Sequence, residues 1–197
     1  MNVMKILGKI LPALIVLYSC NQMIQHPPQK LSIGTVEAEM NGSTWTSSYK
    51  NAYQVVRGGR HTAVPCIKSS LYINIELYSP EGFLRQQLLF SKIPKQPGSY
   101  AIVGKSPPNC SEKDSVYCGL YTSIDDGCIA ESAYEVVAAY PNFFRIDRSN
   151  KETSEIEGRF QMMLVKTNQL FVTSLPDTLR FTDGHFMTKV IIGRYIQ

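Results

Sequence analysis

The chain has three histidines and one tryptophan in 197 residues. So few imidazoles leave little material for a zinc centre, which wants four Cys or His ligands at short spacing, and no C-x-x-C pair is present. G-x-S-x-G is missing, and with it the strained elbow that exposes a nucleophilic serine. H-E-x-x-H is missing too, which removes the helical metalloprotease pair. Charge of one sign is scarce: 20 basic side chains face 16 acidic ones, a formal +4. Nothing in that balance forms the clustered Lys/Arg stripe that nucleic acid requires, so nucleic acid is excluded as a partner. No apolar run approaches the ~20 residues that span a bilayer as a helix. No catalytic residue, metal ligand or cofactor site is assigned, and the chain reads as non-enzymatic.

What is present begins at the N-terminus. Residues 1 to 9 carry Lys5 and Lys9 and no acid, and "ILPALIVLY" (10 to 18) is apolar apart from one hydroxyl. A basic segment followed by a short apolar one is the layout of a secretory signal, which is removed and does not belong to the fold. Ordinary cleavage wants small residues at −1 and −3. Here Ser19 is small but Leu17 is not, and Cys20 follows. Leu17, Ser19 and Cys20 resemble the lipobox of bacterial lipoproteins, which implies a lipid on the Cys20 thiol and cleavage just before it. Two or three acyl chains hold a protein stably to a membrane. Residues 20 to 32, with Pro27 and Pro28, then read as a lipidated tether.

Without residues 1 to 19 the chain has 178 residues, 18 basic and 16 acidic, a net +2. That length suits one domain, 33 to 197, with a real core. Cys66, Cys110, Cys118 and Cys128 form an even set, the arithmetic of disulfides in an oxidising compartment. Four cysteines allow three connectivities; Cys110 with Cys118 and Cys66 with Cys128 is the pairing expected. A nucleophilic Cys66 would need a base, and the nearest candidate is His61.

Periodicity beyond the tether is mostly two. In "SLYINIELY", Leu71, Ile73, Ile75 and Leu77 fall on one face and Tyr72, Asn74, Glu76 and Tyr78 on the other, a half-buried strand. Similar runs occur at 33 to 40, 51 to 56, 83 to 90, 98 to 103, 115 to 124, 133 to 139, 142 to 147, 155 to 166, 168 to 174, 178 to 182 and 185 to 192. Asn41-Gly42 and Asp183-Gly184 are expected as hairpin turns. Gly158 inside a strand suggests a bulge or a close approach. The segment 104 to 128, with three cysteines and two prolines, reads as a long stapled loop. The fold class is therefore mainly β, an antiparallel sandwich or barrel.

"EAEMNGSTWTSS" (37 to 48), with its Asn-Gly-x-x-Trp opening, resembles the start of the mature domain in a broad set of uncharacterised Bacteroidota lipoproteins. "PGSYAI" (97 to 102), "IEGRFQMMLV" (156 to 165) and "LRFTDGHF" (179 to 186) are similar to later signatures of that set. The resemblance implies an exported all-β domain and supplies no catalytic residues. Asp114-Ser115-Val116 and Asp177-Thr178-Leu179 also resemble the short O-glycosylation acceptor of Bacteroidota envelopes.

In physical terms, Trp45 is placed to anchor a core just inside the first hairpin. "RGGRH" (57 to 61) is a short basic turn that could hold an anion. Asp147, Asn150 and Glu152 carry oxygens, but their spacing fits no EF-hand. Tyr72 and Tyr78, on the outer face of one strand, are candidates to stack on a glycan. The expected function is a lipid-anchored binding or accessory module of the outer membrane, with the periplasmic face favoured. Its partner is a glycan, a small apolar ligand or an envelope protein. The runner-up is a lipocalin-like carrier of a small apolar ligand, and a hydrolase without recognisable motif comes third.

Overall fold

The computed structural model describes residues 30–47, 51–61, 70–104, 115–124, 129–170 and 175–191. Cys20, the signal segment and most of the tether lie outside them, as do Cys66, Cys110 and Cys128. Eleven strands form one hydrogen-bonded sheet: β1 (Gly34–Met40), β2 (Ser43–Thr44), β3 (Tyr53–Arg60), β4 (Leu71–Tyr78), β5 (Leu84–Ile93), β6 (Gly98–Val103), β7 (Ser115–Ile124), β8 (Ile129–Val136), β9 (Phe143–Asn150), β10 (Glu155–Gln169) and β11 (Thr178–Ile191).

The sheet closes on itself as a barrel. β3, β4, β5 and β7 pair in turn, antiparallel. The far edge of β7 is shared between β8, antiparallel, and β6, parallel. β6 continues to β9, and both β8 and β9 pair with β10. β10 pairs with β11, whose other edge takes β1 and then, at Val190 and Ile191, runs parallel to Gly58 and Gly59 of β3. The ring is antiparallel apart from the β6–β7 and β11–β3 pairings.

Alternation along each strand decides what fills this ring. Leu71, Ile73, Ile75 and Leu77 all point inward and are buried. The interior holds aromatic rings in contact: Phe90 lies 4.9 Å from Phe144 and 5.1 Å from Phe160, Phe144 stacks on Phe186 at 5.0 Å, and Phe160 reaches Phe181 at 6.4 Å. Burying such a side chain contributes about 1.5–3 kcal/mol. Trp45, in one turn of 3₁₀ helix (Trp45–Ser47), closes one end of the barrel. Its edge meets Phe181 at 5.0 Å, and its indole N–H donates to Gln86 Oε1 at 2.7 Å.

Asn41 and Gly42, at φ 52° and 77°, make the expected β1–β2 hairpin. Asp183-Gly184 does not make one. Asp183 has φ 51° but lies inside β11, at a bulge where the register shifts against both β1 and β10. The two runs read on either side of it are a single strand that bends with the barrel wall. Likewise β10 runs without a break from the run at 155 to 166 into the start of the one at 168 to 174, as far as Gln169; residues 171 to 174 lie outside the described ones. Gly158 is both things expected of it: the register against β9 shifts there, and a Cβ would strike the carbonyl of Arg145 and the ring of Phe186. Within the segment read as one stapled loop, residues 115 to 124 form the central strand β7.

Candidate functional site

Among the described residues, no element crosses the end of the barrel opposite Trp45. Arg60 pairs with Leu71, and Leu71 with Ile93, so β3, β4 and β5 meet there. The end of β11 and the β9–β10 turn arrive at the same level, through Val190 beside Gly58 and Glu155 beside Lys189. Between them lies a pocket of about 410 Å³. Its floor is the top of the core: Leu71 is 6% exposed, Ile156 1%, and Val190 packs against them. Arg60, Lys95 and Lys151 stand round it.

The turn that carries Lys151 is built locally. Asn150 Oδ1 accepts the backbone N–H of Glu152 at 2.8 Å and of Thr153 at 3.2 Å, an Asx turn, and Ser154 takes φ 58° to re-enter β10. The one carboxylate in the lining, Glu155, accepts from Thr153 Oγ1 at 3.0 Å and faces Lys189 Nζ at 3.7 Å. Part of its charge is thus met from outside the pocket, whose lining carries three basic side chains above an apolar floor. A second hollow, about 630 Å³, lies between β6 and β9 over Arg145 and Asp147. There the charges already satisfy one another: Asp147 takes Arg145 at 2.7 Å and Arg159 at 2.9 Å. Those ion pairs also engage the Asp147 oxygens considered for calcium, while Asn150 is held in its turn.

The outer face of β3 and β4 is polar but closed. Glu76, 9% exposed, accepts from Tyr78 Oη at 2.7 Å, Asn74 Nδ2 at 2.9 Å and Arg57 Nη1 at 3.1 Å. Asn74 in turn accepts from Gln87 at 3.0 Å. Tyr78 is 2% exposed; its ring stacks on Tyr53 at 5.2 Å and has Lys30 Nζ 5.0 Å from its centroid. Burial, then the hydrogen bond to Glu76, push its phenol pKa upward. Both faces of the ring are covered, so Tyr78 cannot stack on a sugar. Tyr72 is half-buried and lies flat across Gly59, where any Cβ would collide with its ring, with His61 5.0 Å away. The two tyrosines do not form one platform.

Cys118 faces the core from β7 and carries a free thiol, 3.4 Å from Met162 Sδ. The expected Cys110–Cys118 bridge is therefore not made, because alternation turns residue 118 inward with Val116 and Leu120. Burial pushes the thiol pKa far upward, which makes it a poor nucleophile. Burial also lowers the His61 pKa, and among the described residues its Nε2 has no hydrogen-bond partner. His185 sits in an exposed ladder 3.3 Å from Glu157, and together with Arg148 it holds that carboxyl below the usual range. Ser115, in the first glycan-acceptor triplet, is 6% exposed and inaccessible in the fold; Thr178 of the second is exposed.

Sequence reading reached one side of the mouth. "RGGRH" was singled out as an anion candidate, and alternation splits it, with Arg57 outward to Glu76 and Arg60 inward to the pocket. Lys95 and Lys151 were not found. They stand 35 and 91 positions beyond Arg60, on connections that meet only when the ring closes. Among protein-family profiles, curated proteins and solved structures, none matches this chain.

Proposed function

We propose that this chain is a lipid-anchored, non-enzymatic binding module of a bacterial outer envelope, held through Cys20 and taking its ligand at the mouth of the barrel. One observation carries the binding half: a recess of about 410 Å³ at one end of an otherwise packed barrel, with an apolar floor and with Arg60, Lys95 and Lys151 in its lining. The anchoring half rests on the short apolar segment ending in Leu17, Ser19 and Cys20. The non-enzymatic reading is supported by how the reactive side chains are used: Cys118 is buried against Met162, and His185 belongs to a surface ion ladder. The chain of touching phenylalanine rings through the middle of the barrel favours a mouth site over an internal carrier cavity.

Two measurements test the proposal. Intact mass of native protein is expected to show residues 1 to 19 removed and acyl mass on Cys20. Cys20→Ser should move the protein from the membrane pellet to the soluble fraction. A full-length, unmodified chain, or a Cys20→Ser protein that stays in the pellet, removes the anchor. A thermal-shift screen of glycans, fatty acids and phosphate esters tests binding, since a ligand that prefers the folded state raises its melting temperature. A screen with no shift removes the binding module.

A further inference from the structure

On the outer wall of the barrel, the hollow of about 630 Å³ between β6 and β9 is lined by Pro97, Ser99, Phe143, Arg145 and Asp147 among others. Alternation along β9 sends Phe144 and Ile146 into the core and leaves residues 143, 145 and 147 outside. Register then sets Arg145 beside Arg159 of β10 on one side and beside Ser99 of β6 on the other. Two cations directly opposite one another repel, and Asp147 is the carboxylate that joins them. Arg145 Nε stands 2.7 Å from Oδ1, and Arg159 Nε donates to Oδ2 at 2.9 Å. These ion pairs meet one edge of each guanidinium. The terminal nitrogens have no partner among the described residues, on side chains 55% and 59% exposed against 20% for the carboxylate. One carboxylate thus serves two cations, and two planar forks of N–H donors face solvent on neighbouring strands, whose backbones lie about 4.8 Å apart. Arg148 differs, because its Nε and Nη2 are both spent on Glu157.

The rest of the hollow is not charged. Phe143 is half-buried and, unlike Phe144 with its stack on Phe186, makes no ring contact among the described residues. Pro97 and Ser99 are exposed next to it along the β6 side. A guanidinium fork matches a carboxylate through parallel N–H···O bonds, and an aromatic face takes the C–H side of a sugar ring. A bare anion would leave Phe143 untouched. A neutral sugar would leave one of the two cations without a counter-charge. A peptide added as a strand needs a free sheet edge, whereas Gly98–Tyr100 and Phe144–Ile146 already pair with each other under the hollow. We infer that this hollow binds an acidic saccharide, with the carboxylate of a uronic acid residue between the terminal nitrogens of Arg145 and Arg159 and the C–H face of a sugar ring on Phe143. The volume falls in the range of small-molecule sites, about 300–1,000 Å³. The hollow shares no lining residue with the recess at the barrel's end and does not depend on what binds there.

Full-length Cys20→Ser protein is titrated by calorimetry with trigalacturonic acid. The methyl ester of that trisaccharide, acetate and a short poly-glutamate peptide are the controls. Saturable binding of the acid is expected, weakening as salt is raised. Arg145→Gln and Arg159→Gln change exposed side chains. Each is expected to keep the melting temperature of the unliganded protein and to lose affinity about tenfold, the effect of one charge-assisted fork. Arg145→Lys keeps the charge without the fork and is expected to fall between parent and Arg145→Gln. Arg148→Gln is expected to keep the parent affinity. Methyl ester binding as tightly as the acid overturns the carboxylate, a result that needs no variant to fold. Acetate binding as tightly overturns the saccharide, and poly-glutamate doing so assigns the hollow to an acidic peptide and overturns the inference. An equal loss in Arg148→Gln reveals a diffuse positive field and overturns the two forks. Loss of affinity in Lys95→Gln/Lys151→Gln in place of the arginine variants moves the saccharide to the barrel's end, which overturns this site and leaves the binding module standing. No binding of the acid overturns it as well.

Discussion

Trp45 closes the barrel and its indole N–H makes a buried contact to Gln86 whose strength can be worked out before measurement. Its ring has no exposed surface, Gln86 is 2% exposed, and the indole N–H donates to the amide oxygen at 2.7 Å. Trp45→Phe keeps a ring against Phe181 but strands the Gln86 acceptor, and an unsatisfied buried group costs about 1–3 kcal/mol. The lost ring carbons add roughly 1 kcal/mol, for a total near 2–4 kcal/mol. Gln86→Met strands the indole N–H instead, again at about 1–3 kcal/mol. The double variant removes donor and acceptor together, so its loss should fall short of the sum of the single losses by about 2–6 kcal/mol. Urea unfolding followed by far-ultraviolet circular dichroism measures all four corners of the cycle without relying on tryptophan fluorescence. Additivity within about 0.5 kcal/mol would show that the contact carries no coupling and refute the reasoning.

Two further outcomes follow from buried groups and from a close backbone approach. Cys118 and Tyr78 both have pKa values raised by burial. The unfolded chain therefore loses those protons first, from about pH 9 and pH 10 respectively, and the stability they support is full below those values and declines above them. Urea unfolding at successive pH values should show that decline shallower in Cys118→Ala, beginning one unit below the change seen in Tyr78→Phe; parallel curves for both variants would contradict the assignment. Gly158→Ala should destabilise by about 3 kcal/mol, because the new methyl meets the Arg145 carbonyl, which a strand cannot move aside; thermal unfolding within 1 °C of the parent would contradict it.

Local features were the legible ones. The alternation at residues 71 to 78 marks β4, because a period of two needs no distant partner to be recognised. Asn41-Gly42 makes its hairpin, and Trp45 anchors the core that its size suggested. Asp183-Gly184 carries the same positive-φ chemistry as Asn41-Gly42, yet the strands on both its sides have partners that extend past it, so the pair bends a strand instead of reversing it. Tyr78 looked outward by alternation, and it does point outward. What the pattern could not show is that Tyr53 and Lys30 cover it. Cys118 was read among the loop cysteines near it in sequence, although the flanking Val116 and Leu120 already gave it the parity of a core residue. The mouth was least legible, because its three cations are brought together by ring closure and by no local period.

β11 is the hinge pin of this assembly in time as well as in space. It supplies a neighbour to β1, to β3 and to β10, so the earliest of the described strands waits, edge unmatched, until nearly all the rest have been synthesised. A ribosome adds about 5–20 residues per second, which leaves β1 without its partner for several seconds in every molecule made. The ring of strands therefore closes only when the fourteen residues of β11 arrive.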